Sequence, residues 1–116
     1  MKGLPEAYAL EHIGFMTNNH DENIEFLYKC IASLETAEDA KSFLDDICTK
    51  SEIQEMSRRL KAARMLRDGI IYSEIATTTG LSTATISRVN HCLKYGTEGY
   101  HKVLEKMKLG EKKMSQ

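Results

Sequence analysis

The sequence is poor in the residues that interrupt or cross-link a fold. It has one proline, no tryptophan, and three cysteines (Cys30, Cys48 and Cys92) that lie far apart. The scarcity of proline and glycine, together with many good helix formers, favours helix throughout. Three widely spaced cysteines match neither a disulfide framework nor a metal-ligand pattern, so we expect reduced thiols, no metal and no cofactor.

Long apolar runs are also missing. No segment approaches the ~18 apolar residues that a membrane-spanning helix needs. The N-terminal stretch MKGLPEAYALEHIGFM is interrupted by Glu6, Glu11 and His12, which is unlike the apolar region of a secretory signal. We therefore expect a cytoplasmic protein with no membrane partner.

Arginine is absent from the first half of the chain. Residues 1–57 carry four lysines, no arginine and twelve acidic residues, a net charge of −8, whereas residues 58–116 carry a net charge of +7. This division predicts an acidic scaffold and a basic half that meets an anionic partner. The alternative is a protein whose two halves attract each other.

The apolar residues recur at helical spacing, and no strand pattern is present, so the predicted fold class is all-α. We predict a weakly ordered arm over residues 1–20, one helical domain over residues 21–109 and a polar, frayed tail over residues 110–116. Capping boxes at Thr36–Asp39 and Thr49–Glu52 predict two helix starts. Gly69 and Gly96 are predicted to end the third and fifth helices.

A tight helix pair is predicted in YSEIATTTGLSTATISRVNHCL, over about residues 73–93. Gly80 would provide a positive φ in the turn, and Ser82 would cap the second helix. Ile86 and Val89 would point into the domain. Thr79 fits this helix-turn-helix pattern less well, since its position is more often apolar.

The outer face of the second helix would then carry small side chains that allow a close approach to base edges in a major groove. Thr85 and basic residues of the preceding long helix, among them Arg67, would contact phosphates. Such helix pairs also occur in proteins that never bind DNA. The predicted DNA-binding residues are Ser82, Thr83, Ala84, Thr85, Ser87, His91, Arg67 and Lys94.

No catalytic motif is evident. The four histidines are scattered without metal-ligand spacing, and no glycine-rich phosphate loop or nucleophile motif is present. The adjacent pair His91–Cys92 points in directions about 100° apart on a helix. We therefore predict that the protein is not an enzyme.

The segments SEIQEMSRRLKAARMLRDG, TGLSTATISRV and CLKYGTEGY resemble the bacterial Trp repressor family, and most closely its YerC/YecD branch. The resemblance covers about Phe43 to Glu105. It implies a Trp-repressor-like, intertwined helical homodimer with two helix-turn-helix reading heads, which represses transcription by binding a palindromic site in double-stranded DNA. In such a dimer, Ile24, Leu27, Ile31, Phe43 and Ile47 would contribute to a core shared between chains.

The resemblance also implies positions for a small-molecule effector. Arg59 and Arg88 match the arginines that hold the indole in tryptophan-sensing members, and Thr49 of the partner chain matches a third pocket residue. Val89 stands where those members have a glycine, and Cys92 stands where they have a serine. The possible effector pocket therefore departs from the pattern, and we expect L-tryptophan not to be the physiological effector.

A second class of function stays open. The protein would then be a helical module that keeps the fold, binds protein or RNA, and has lost sequence-specific DNA binding. The small outer face of Thr83, Ala84 and Ser87 favours DNA, because a groove for a partner helix would carry larger apolar anchors.

Overall fold

The computed structural model describes residues 20–114, so the predicted arm lies, apart from His20, outside the described residues. Within that range the chain forms helices and short connections without a strand, which confirms the predicted all-α class. The helices are α1 (His20–Ala32), α2 (Ala37–Ile47), α3 (Lys50–Arg67), α4 (Tyr72–Thr79), α5 (Thr83–Tyr95) and α6 (Gly99–Met114).

The chain divides into two units at Ile47. The first unit contains α1 and α2, and the second contains α3 to α6. This boundary falls inside the single domain predicted over residues 21–109, and the extent of that domain stays a prediction. The candidate site lies entirely in the second unit.

A helix begins at each of the two predicted capping boxes. The Thr49 hydroxyl accepts a hydrogen bond from the Glu52 N–H at 3.1 Å, and the Glu52 carboxylate accepts one from the Thr49 N–H at 2.8 Å. The hydrogen bonds from Thr49 hold the pKa of Glu52 below its ordinary value, because they favour the charged carboxylate. The box at the start of α3 is therefore complete.

The box at the start of α2 differs from the prediction in one bond. The Thr36 hydroxyl accepts from the Asp39 N–H at 3.0 Å, as predicted. The Asp39 carboxylate, however, accepts from the Glu35 N–H at 3.3 Å, one residue before the predicted donor. An aspartate is one methylene shorter than the glutamate of a full box, so its reach back along the chain differs.

Two apolar clusters hold the second unit together. In the first, Ala62 of α3 and Ile75 of α4 pack with Leu81 and with Ile86 of α5. In the second, Ala63 of α3 packs with Val89 of α5 and Leu104 of α6. The adjacent alanines let α4, α5 and α6 all approach α3 closely, which fixes the position of α5.

The last helix is longer than predicted. It continues through Gly110 to Met114, whereas the sequence predicted a frayed tail from residue 110. A single glycine costs a helix only about 1 kcal/mol, and the residues that follow it are mostly good helix formers.

Candidate nucleic-acid interface

The turn between α4 and α5 has the predicted geometry. Gly80 ends α4 in the left-handed conformation, with φ of 75°, and its N–H donates to the Ala76 carbonyl at 2.8 Å. A side chain at this φ would be strained, which explains the glycine. Leu81 is buried in the turn, and Ser82 caps α5 by accepting from the Thr85 N–H at 3.1 Å.

Thr79, which fits the sequence pattern poorly, stabilises this turn through two hydrogen bonds. The residue is only 7% exposed. Its hydroxyl donates to the Ile75 carbonyl at 2.7 Å and accepts from the Leu81 N–H at 3.2 Å. The hydroxyl thus pairs a backbone N–H that lies between two helices in a buried turn, which an apolar residue would leave unpaired.

Replacement of Thr79 by valine should therefore destabilise the protein although the two side chains have nearly the same shape. We expect the free energy of unfolding to fall by about 1–3 kcal/mol, the penalty for a buried polar group without a partner. Chemical denaturation measures this change. The matched control is Thr77→Val, because the Thr77 hydroxyl only donates to the Ser73 carbonyl at an exposed site; a loss at Thr77 as large as at Thr79 would contradict our interpretation.

Helix α5 has two sharply different faces. Ile86 and Val89 are buried against the rest of the unit, and Leu93 is half-buried. Thr83, Ala84, Ser87 and His91 are all exposed on the other side. The structure therefore places His91 and the three residues predicted to approach bases together on one solvent-facing surface of α5.

The two remaining predicted contacts on this helix are tied to its cap. Ser82 is exposed, and its hydroxyl donates to the Thr85 hydroxyl at 3.0 Å. Thr85 is half-buried. Because its oxygen accepts this bond, the Thr85 hydroxyl proton is still available for an outside acceptor such as a phosphate.

The two basic residues predicted to contact DNA lie in different surroundings. Lys94 is exposed on the last turn of α5. Arg67 at the end of α3 forms an ion pair with Glu105 of α6, with 3.1 Å between Nη2 and the carboxylate oxygen. The sequence predicted a phosphate contact for Arg67, and such a contact would have to compete with Glu105.

The possible effector residues do not share one environment. Val89 is 3% exposed and packs on Ala63 and Leu104, whereas Arg88 and Cys92 are exposed on the same helix. Arg59 is half-buried, and its Nε is buried without a hydrogen-bond partner. Whether these residues form an effector pocket stays a prediction.

Thr49, the fifth possible effector residue, forms hydrogen bonds within its own chain. Its hydroxyl and its N–H form the capping box with Glu52. The predicted pocket takes this residue from a partner chain, so its role there stays a prediction.

Three residues near α5 were missed by the sequence reasoning. His101 of α6 donates from Nε2 to the Leu93 carbonyl at 2.7 Å, which ties α6 to the end of α5. Glu105 pairs with Arg67, and Tyr95 packs on His91. Only Tyr95 could have been found from the sequence, since it follows His91 by four residues on the same helix.

Neither a metal site nor a membrane span emerges from the described part of the chain. No group of three histidine, cysteine or acidic residues in residues 20–114 is placed to hold a metal ion. None of the helices described there is long and apolar enough to cross a membrane.

These features define a small all-helical protein in which one helix, held by a glycine turn, presents a polar face beside basic residues. The chain belongs to the Trp repressor family: the family description "Trp repressor protein" matches residues 22–108. It is also 46% identical over 94 residues to the uncharacterized protein YerC of Bacillus subtilis (strain 168), over 81% of this chain and 90% of YerC.

Two solved structures have the same fold. A TrpR-like protein from Eubacterium eligens ATCC 27750 matches with a TM-score of 0.70 and 45% identity, over 74% of this chain and 89% of that chain. A proposed Trp repressor from Staphylococcus aureus matches with a TM-score of 0.71 and 40% identity, over 75% of this chain and 87% of that chain. The fold is therefore Trp-repressor-like.

Proposed function

We propose that the protein is a sequence-specific DNA-binding regulator that acts as a transcriptional repressor, with α4 and α5 as a helix-turn-helix and α5 as the reading helix. The supporting observation is the exposed polar face of α5, whose opposite face is anchored by Ile86 and Val89. A helix that is rigidly held and presents small side chains fits the dimensions of a major groove.

The residues of α5 divide by the kind of contact they are suited to make. Thr83, Ala84 and Ser87 are small and exposed, so their methyl and hydroxyl groups suit base edges. Thr85 has a hydroxyl proton to donate to a phosphate, and Lys94 supplies a positive charge. In this assignment, base contacts select the sequence and phosphate contacts fix the register.

The proposed assembly is a homodimer. Phe26 is 64% exposed, and Ile31 and Ile47 are about half exposed, although all three lie on the two helices of the first unit. No residue of α2 is buried. Apolar helices that lack a core in one chain are explained if a second copy covers them.

Sedimentation of the protein at low micromolar concentration should therefore give a dimer. Replacement of Ile31 by aspartate should shift the equilibrium toward monomers or unfolded chains, because a charge would enter the shared apolar core. The control is Ile71→Asp, since Ile71 is also exposed but lies in the second unit, before α4. A well-folded wild-type monomer at this concentration would contradict the proposed assembly.

Selection of binding sites from random duplex DNA tests the function. A two-fold dimer should select a near-palindrome whose half-sites are centred about one helical turn apart, ~34 Å. Selection with and without free amino acids would also detect an effector. Enrichment of no sequence, together with affinity for RNA or for a protein, would favour the interaction module over the repressor.

A further inference from the structure

Tyr95 is the most exposed of the phenylalanines and tyrosines among the described residues, at 75%. It lies in the last turn of α5, and its ring packs on that of His91, with centroids 5.0 Å apart and planes inclined by 50°. Packing in the core does not explain a tyrosine at this position. The pair instead restricts the rotamers of both side chains on an otherwise solvated surface.

The position of Tyr95 on the helix coincides with that of the proposed base-facing residues. Tyr95 follows Ala84 by eleven residues, which is close to three turns of about 3.6 residues. Both side chains therefore project in nearly the same direction, about 16 Å apart along the helix axis. His91 lies between them on the same exposed face.

We propose that the His91–Tyr95 pair is a further DNA-binding element, which contacts the sugar–phosphate backbone where the reading helix leaves the major groove. This inference rests on the proposed DNA-binding function. The major groove is about 12 Å wide, so a helix that enters it with its first turns has its last turns near a phosphate strand. The Tyr95 hydroxyl and an imidazole N–H are both donors suited to phosphate oxygens.

The aromatic packing has a second role, which is to position His91. An exposed histidine samples several rotamers, and fixing one of them on binding costs affinity. Tyr95 fixes the imidazole in advance, at a ring distance typical of a tilted aromatic pair. Loss of the Tyr95 ring should therefore weaken binding more than loss of its hydroxyl alone.

The test uses full-length protein and a duplex taken from the site selection, with affinity measured over a series of salt concentrations. Tyr95→Phe keeps the ring and removes the hydroxyl, and should weaken binding by about 2- to 12-fold, the worth of one hydrogen bond. Tyr95→Ala should weaken it by a further factor of about 2–10. Tyr28→Phe is the matched control, since Tyr28 is the other strongly exposed tyrosine of the described chain; it should bind as the wild type does.

The salt dependence separates this contact from a charged one. A tyrosine hydroxyl displaces no counterion, so both Tyr95 variants should keep the wild-type slope, whereas Lys94→Ala should reduce it by about 0.9.

Unchanged affinity of both Tyr95 variants would overturn the proposal while leaving the repressor function intact. A change in sedimentation without a change in DNA affinity would also overturn it, and would assign the pair to a contact between copies. Failure of the wild type to bind any selected duplex would refute the proposed function before a variant is tested.

Discussion

Replacement of Ala84 by leucine should abolish sequence-specific DNA binding and leave the fold intact. Ala84 is exposed in the first turn of α5, so we expect the fold to accommodate a larger side chain there. In the proposed complex the same side chain would separate the helix from the base edges, and all contacts of the reading face would be lost together. We expect specific affinity to fall by at least about 100-fold, toward the weak affinity for unrelated DNA, which typically lies a factor of 10³ or more below specific binding.

The control for this experiment is Ala37→Leu, which makes the same change at an exposed alanine in the first turn of α2. Circular dichroism and thermal unfolding of both variants should match those of the wild type. If Ala84→Leu selected the same sequences with unchanged affinity, α5 would not be the reading helix. Unaltered binding to unrelated DNA is expected, because phosphate contacts supply that affinity.

The sequence was sufficient to predict what depends on local pattern. The capping box of Thr49 and Glu52, the left-handed Gly80 and the inward-facing Ile86 and Val89 follow from residue type and helical period, and all are present in the structure. The polar face of α5 follows from the same period, since anchoring one face of a helix leaves the other exposed. The candidate site was therefore largely predictable on α5 itself.

Features that join different helices were not predictable. The Arg67–Glu105 ion pair and the bond from His101 to the Leu93 carbonyl join groups whose separation is set by how α6 packs on α3 and α5. Thr79 fits the sequence pattern poorly because residue type alone does not reveal hydrogen-bond partners. A buried hydroxyl needs a hydrogen-bond partner, and the three-dimensional structure shows that Thr79 has both an acceptor and a donor.

The burial of Val89 gives a second reason to expect that L-tryptophan does not bind. Val89 matches the place where tryptophan-sensing members have a glycine, and its side chain packs in one cluster with Ala63 and Leu104. A side chain that already fills a packed site must be displaced before an aromatic ligand can enter. Such overfilling costs about 1–3 kcal/mol, which corresponds to roughly 5- to 150-fold in affinity.

Calorimetric titration with L-tryptophan should therefore give no saturable binding at micromolar concentration, and selected DNA should bind equally with and without the amino acid. The Arg59 and Arg88 side chains retain the charge and the planar shape that would stack on an indole. The exposed Cys92 thiol is a weaker hydrogen-bonding group than the serine hydroxyl of the sensors. Saturable micromolar binding with a matching gain in DNA affinity would contradict this prediction.

The variant Val89→Gly tests whether removal of the Val89 side chain allows L-tryptophan to bind. Removing the isopropyl group from a site that is 3% exposed should lower the free energy of unfolding by about 2–4 kcal/mol, from lost packing and the low helix propensity of glycine. Val103→Gly is the matched control, because Val103 also lies within a helix but is half exposed. Val103→Gly should lose less than about 1 kcal/mol, because glycine costs that much relative to alanine and valine is already a weaker helix former than alanine. If Val89 fills a former ligand site, L-tryptophan should raise the unfolding midpoint of Val89→Gly more than that of the wild type; an equal response of both proteins would mean that Val89 is an ordinary core residue.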